Sequence, residues 1–282
     1  MSKTVFISGC STGIGLYLAK ALSESGYQVI ASCRKDEDVK RLQSIGLYAI
    51  QMDVNRSASI KEAVKLLLEH THGKLDVLIN NAGFGQVGAL EDISRELMMN
   101  QFQTNVFGLH ELTTQIIPIM RAQGSGRIIN ISSILGLVSL PFRGAYNASK
   151  YAVEALSDTL RLELEPSGIW VTSIQPGPID SQFRDTAVDS SLQALDQQSS
   201  HFYAQYQNMM THFKDNKKQS KMTLGPDAVF KKVIHAIESS RPRPSYAVTK
   251  AALLLIIAKR ILPKRWLHRL LASVSKKELS KR

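Results

Sequence analysis

The stretch Lys3-Thr4-Val5-Phe6-Ile7-Ser8-Gly9-Cys10-Ser11-Thr12-Gly13-Ile14-Gly15 decides the fold. Its first part, Lys3–Ser8, is an apolar run that reads as a buried strand, and Leu16 to Ser25 follows with helical spacing. Between them, Gly9, Gly13 and Gly15 let the backbone turn tightly and approach a pyrophosphate. The free N–H groups at the helix start, around Thr12, Gly13 and Ile14, would stabilise that charge, while the Ser11 hydroxyl in the loop would add to a 2′-phosphate site. The spacing is G-x3-G-x-G rather than the commoner G-x-G-x-x-G, so the strand–loop–helix context carries the reading.

Outward from this unit the pattern repeats. Strands are read at Gln28–Ser32, Ala49–Met52, Leu75–Ile79, Arg127–Ser132 and Trp170–Gln175. Helices are read from Ser57 to His70, Ser94 to Met120, Ala145 to Leu164 and Pro226 to Ser239. Such alternation argues for βαβ units on one parallel sheet rather than for segregated domains. At 282 residues and 44% hydrophobic, the chain can bury a large core.

The strand ends carry the chemistry. An NAD site would set an acid after the second strand, for the ribose 2′-OH; here Arg34 and Lys35 stand where a 2′-phosphate would lie. NADP(H) is therefore expected in preference to NAD(H). Asp53-Val54 is expected to cap the adenine, and Asn80-Asn81-Ala82-Gly83 forms a small-residue turn on the same edge. Asn105 is a poor residue for a helix interior, which predicts a local kink or a polar role. Pro176-Gly177-Pro178-Ile179 cannot continue a ladder and turns the chain out over the site.

Tyr146 and Lys150 are spaced i, i+4 on a helix with an apolar stripe, so phenol and ammonium point to one side. A fixed cation beside a phenol is expected to pull its pKa down from about 10, making Tyr146 an acid/base. Ser133 ends a buried strand, on the edge where open α/β sheets bind ligands.

These motifs resemble the short-chain dehydrogenase/reductase family across roughly residues 3 to 240. The resemblance rests on Gly9-x3-Gly13-Ile14-Gly15, Asp53, Asn80-Asn81-Ala82-Gly83, Asn105, Ser133, Tyr146-x3-Lys150 and Pro176-Gly177, in order and at family spacing. It implies a Rossmann-type, doubly wound, seven-stranded parallel sheet with helices on both faces. It makes Tyr146 the proton donor or base, with Ser133 stabilising the substrate oxygen. Lys150 would bind the nicotinamide ribose, Asn105 would hold a relay water, and Pro176–Ile179 with Ser181 would bracket the nicotinamide. Ser8 replaces the usual Thr and keeps the hydroxyl. The loop and Arg34 look most like members acting on steroids, retinoids and other lipophilic carbonyls. A homodimer or homotetramer is implied.

The expected enzyme is an NADP(H)-dependent carbonyl reductase or alcohol dehydrogenase, taking a small lipophilic carbonyl or alcohol. The rival reading is an NADP(H)-binding sensor or scaffold recruited to a membrane or partner by its tail. Residues 1–240 are expected to form the dinucleotide-binding and catalytic domain. Within it, 183–222 turns to Gln, Ser, His, Asp and Met, reading as a helical lid with an apolar inner face (Leu192, Leu195, Phe202, Tyr206, Met209, Met210, Phe213).

Residues 241–282 carry twelve Lys/Arg against the single acid Glu278, and so hold the whole net charge of +11. Pro242 and Pro244 mark an extended linker over Ser240–Ser245. The tail beyond is a basic amphipathic helical extension, with Trp266, Leu267, Leu270, Leu271 and Val274 on one face of its last helix. Residues 246–275 fit a membrane surface. The same pattern also suits packing on the chain's own domain, lining the substrate pocket, or an oligomer interface. Nucleic acid is not expected, because no interleaved aromatics or known module accompany the cations. Cys10 and Cys33 match no metal spacing and no disulfide scaffold, no metal is expected, and Met1-Ser2-Lys3 runs straight into a strand. A cytoplasmic setting, with or without peripheral membrane association, is expected.

Overall fold

The computed structural model describes residues 2–181, 183–215 and 223–279. One sheet of seven parallel strands organises it: β1 (Thr4–Ile7), β2 (Gln28–Cys33), β3 (Tyr48–Gln51), β4 (Val77–Asn80), β5 (Gly126–Ile131), β6 (Ile169–Gln175) and β7 (Ser245–Ala247). Their order is β3-β2-β1-β4-β5-β6-β7. Val5, Phe6 and Ile7 of β1 are all fully buried, as expected where helices cover both faces of a parallel sheet.

Alternate side chains feed two cores. Val5 and Ile7 join the layer under α1 (Gly13–Glu24), α2 (Asp36–Ser44) and α9 (Asp227–Glu238), through Leu18, Leu22, Leu42 and Val233. Phe6 joins the opposite layer, under α3 (Ser57–His70) and α5 (Leu109–Gln123), through Ile60, Leu67, Leu112 and Ile116.

The helix expected from Ser94 to Met120 is three pieces. α4 (Arg95–Phe102) runs into a π-helical turn, Gln103–Gly108, and then into α5. Asn105 sits in that turn, so the predicted kink is present. Gly108 lets it pass the chain after β3, since a Cβ there would stand 2.3 Å from the Val54 carbonyl oxygen.

The boundary expected after residue 240 does not hold. Ser245–Ala247 is the edge strand β7, paired with Ser173, Ile174 and Gln175, and Tyr246 is buried beneath it. The segment expected to be an extended linker, Ser240–Ser245, bends at Ser240, Arg241 and Pro244 and feeds a strand instead of a free linker. Three residues are too few to show a strand period.

The strand order reverses between β1 and β4, and open α/β sheets bind ligands in the crevice beyond such a switch point. The glycine loop after β1 meets the turn after β4 there.

Candidate active site

The loop and the turn interlock through backbone. Gly9 has φ +73°, and a Cβ on it would stand 2.7 Å from Ala82 Cα. A Cβ on Gly15 would stand 2.3 Å from the Gly9 carbonyl oxygen. The Ser8 hydroxyl accepts from the N–H groups of Asn81 and Ala82, each at 3.0 Å. Asn81 Nδ2 donates to the carbonyls of Ser8 and Gly9.

α1 begins with no side-chain cap and no acid in its first turn, leaving its N–H groups to a ligand. They open on a cleft of about 580 Å³ lined by Ser11, Thr12, Gly13, Leu16, Arg41 and Ser181. Arg41, on α2, donates to the Ser11 carbonyl at 2.6 Å and pairs with Asp38 at 2.7 Å. Close backbone packing, a helix N-terminus and a guanidinium at one cleft fit the phosphates of a dinucleotide.

The residues expected to be catalytic converge at the ends of β5 and of α6 (Gly144–Leu164). Ser133, nearly buried, hydrogen-bonds the Tyr146 phenol, and its Oγ accepts from the Leu135 N–H at 3.0 Å. The Lys150 ammonium is buried, donates to the Ile131 carbonyl at 2.8 Å, and lies 5.8 Å from the centre of the Tyr146 ring. One turn further along α6, the buried Glu154 carboxylate accepts from Ser173 Oγ and Gln175 Nε2, both at 3.0 Å. Tyr146, Lys150 and Glu154 thus stand at i, i+4 and i+8.

The expected depression of the Tyr146 pKa is not what the structure shows. Burial pushes the phenol up to about 12, against the Ser133 hydrogen bond and the Arg143 charge, which both lower it. Burial likewise pulls Lys150 down to about 8, with the Glu154 carboxylate opposing. The lysine is directed to a backbone carbonyl rather than to the phenol, so desolvation prevails over charge attraction.

Other expected residues fall in different places. Arg34 and Lys35 are exposed just past β2, and Gln51 fixes the Arg34 carbonyl. Asp53 accepts from the Asn55 N–H, while Val54 is buried in the core instead of facing the cleft. The Asn80 side chain is also turned inward, donating to Thr113 and Asn130, because a buried amide must find partners. Gly83 lies against Asn105, whose Oδ1 accepts from the Phe84 N–H and whose Nδ2 donates to the Phe84 carbonyl and Ser149 Oγ. Asn105 is therefore a brace between that loop and α6, where the resemblance gives it a water to hold. The Pro176 carbonyl accepts from the Ile134 N–H, Ile179 bridges to Leu224, and Ser181 reaches the cleft.

The expected lid is helical: α7 (Phe183–Ala194) and α8 (Tyr203–Asp215). Residues 216–222, and the side chains of Met210 and Phe213, lie outside the described residues. Leu192, Leu195, Tyr206 and Met209 pack on Val87 and Ala89 beside the site, with Phe202 at the margin. Tyr206 hydrogen-bonds Asp92 and accepts from the Ala89 N–H. The Phe183 ring lies 5.9 Å from that of Tyr146.

The tail closes the other side. α10 (Lys250–Ile261) and α11 (Lys264–Leu279) pack Ala252, Leu255, Leu267 and Leu271 into one cluster with Leu135, Val138 and Tyr146. A Cβ on Gly177 would stand 2.1 Å from Thr249 Oγ1, and that oxygen caps α10 by accepting from the Ala252 N–H. Of the packing alternatives, the tail thus takes its own domain, against Tyr146.

Two residues of the site escaped sequence reasoning. Arg41 is one basic residue on a charged helix and carries no motif. Glu154 had a signal, an acid four residues beyond Lys150 on the catalytic face, but an i+4 acid usually marks a solvated pair.

A family model described as short chain dehydrogenase matches residues 3–191. An uncharacterized oxidoreductase, YbbO of Escherichia coli (strain K12), is 42% identical over 271 residues, covering 96% of this chain and 94% of its own. Human 17-beta-hydroxysteroid dehydrogenase type 1 is 30% identical over 269 residues, covering 91% and 80%. Among solved structures, a short-chain dehydrogenase from Streptomyces avermitilis superposes with TM-score 0.75 at 26% identity, over 98% of this chain and 95% of that one.

Proposed function

Because the chain belongs to the short-chain dehydrogenase/reductase family, we propose that this oxidoreductase is an NADP(H)-dependent reductase of lipophilic aldehydes or ketones. The observation that carries it is the convergence of Ser133, Tyr146 and Lys150 against an apolar cluster that includes the tail helices, on a fold whose glycine loop opens a phosphate-fitted cleft.

When bound, the reduced nicotinamide supplies the hydride that adds to the carbonyl carbon. The chain's residues handle the oxygen. Ser133 donates a hydrogen bond to it, and Tyr146 gives up its phenolic proton as negative charge develops there. A phenol that burial raises to about 12 carries its proton at neutral pH, so the proton is in place for transfer to the carbonyl oxygen. Lys150, still mostly protonated at neutral pH, stabilises the phenolate left behind, and Glu154 supports its charge.

The lipophilic substrate is read from the apolar side chains packed about Tyr146, namely Leu135, Val138, Phe183, Leu255 and Leu267. The relative named for hydroxysteroids points the same way. The phosphate preference rests on Arg34 beyond β2 and on Arg41 beside Ser11.

The experiment is oxidation of NADPH and of NADH, side by side, against aldehydes and ketones graded by chain length and ring size. Rates should climb with apolar size and favour NADPH. Arg34→Asp should weaken NADPH binding sharply and favour NADH, with Arg41→Ala moving the same ratio less. Equal use of both cofactors by the wild type would refute the phosphate assignment.

A further inference from the structure

The tail helices are apolar on two sides, and only one side is used. On α10, Ala252, Leu255 and Ile256 face the catalytic cluster. Opposite them, Leu253, Leu254, Ile257 and Ile261 form an i, i+1, i+4, i+8 stripe in solvent, with Leu254 at 62% and Ile261 at 73% exposure. On α11, Leu267 and Leu271 turn inward, while Trp266, Leu270 and Val274 stay outside, Trp266 at 60% exposure. The single face read from the sequence is therefore split between an inner half and an outer half.

Basic residues border the outer stripes. Lys250, Arg260, Lys264, Arg265 and Arg269 are all exposed, and the Arg269 guanidinium lies 5.7 Å over the Trp266 ring. No helix among the described residues is long and apolar enough to cross a membrane.

We propose that the outer face of α10 and α11 docks on an anionic lipid surface. The chemistry selects that occupant. Solvent-exposed Leu and Ile gain by entering the acyl boundary, the neighbouring cations gain from anionic headgroups, and an indole prefers the interface between them. A second copy of the chain fits badly, since self-pairing would bring two segments of net charge +11 together. A nucleic acid would meet the cations but leave the aliphatic stripe in water. The docked helices are also the wall behind Tyr146, so a lipid-dissolved substrate would reach the pocket along the element that touches the bilayer. This surface is independent of the catalytic reading, and binding alone tests it.

The test uses the full chain with vesicles of zwitterionic phosphatidylcholine, with and without a third of anionic phosphatidylglycerol. Flotation should recover the protein with the anionic vesicles, less so as salt rises. In a Trp170→Phe background, Trp266 emission should shift to the blue on binding. Leu254→Ser with Ile261→Ser should cut partition about 100-fold, each aliphatic side chain being worth roughly tenfold, while the melting temperature stays put because both are exposed. No flotation would overturn the proposal. So would flotation without the Trp266 shift that is indifferent to the double substitution, a dimer that occludes the face, or tighter binding to single-stranded DNA than to vesicles.

Discussion

The cofactor edge of the sheet and the C-terminal tail are built on opposite terms. At the edge, each motif is pinned by backbone: Gly9 against Ala82, Gly15 against the Gly9 carbonyl, and Asn81 holding Ser8 and Gly9. Any Cβ or lost amide there collides or leaves a carbonyl unpaired. In the tail no such contact fixes most positions. α10 offers one apolar face to Tyr146 and a second to solvent, and either face taken alone would satisfy the same sequence. The edge therefore specifies chemistry residue by residue, while the tail specifies an environment. Thr249 joins the two, since its hydroxyl caps α10 while standing where a Gly177 side chain would be.

The sharpest way to break that contrast is at the edge. Tyr146→Phe should lower kcat about 10²–10⁴-fold, the usual worth of a positioned proton donor, with cofactor affinity nearly unchanged. Stopped-flow reduction with NADPH and a cofactor titration by calorimetry would show this; an active variant would move the acid elsewhere.

A second effect separates activity from stability. A Lys150 held at about 8 in the fold and at its ordinary 10.5 when unfolded costs stability while it is charged. Between those values the unfolded state binds more protons, so wild-type stability should rise with pH across about 8 to 10.5. Lys150→Met should abolish turnover yet melt no lower than wild type at pH 7, its advantage shrinking across that window. Melting curves at pH 7, 8.5 and 10 decide it, and a constant difference would mean the lysine is not desolvated.

The smallest effect belongs to the lid. Tyr206→Phe removes the hydroxyl that bonds Asp92 and leaves the Ala89 N–H without its acceptor. The cost should be about 1–3 kcal/mol, read as a few degrees of melting temperature. The rate with a short, water-soluble aldehyde should barely change, whereas KM for a bulky ketone should rise. Equal effects on both substrates would make the lid a scaffold without a share in selectivity.

Legibility followed the same division. The glycine loop, the kink at Asn105 and the Ser133–Tyr146–Lys150 spacing were readable because each is set by local geometry or by helix period. The direction of the Tyr146 shift was not, since spacing gives the neighbour's charge but not the burial that outweighs it. Arg41 and Glu154 were missed because their partners, Ser11, Ser173 and Gln175, are remote in sequence. β7 was missed because three residues after two prolines show no period.

What the sequence determined alone was the doubly wound sheet, the close-packed glycine loop and the shared helix face of Tyr146 and Lys150. Those depend on residue type at fixed spacing, which short-range sterics and hydrogen bonding translate directly into structure. Only the tertiary structure decided which amide faces a ligand and which the core, and how far burial moves the tyrosine and lysine. It alone decided which half of the tail's apolar surface turns inward. Those outcomes depend on what each side chain meets across the fold, and desolvation is set by that company.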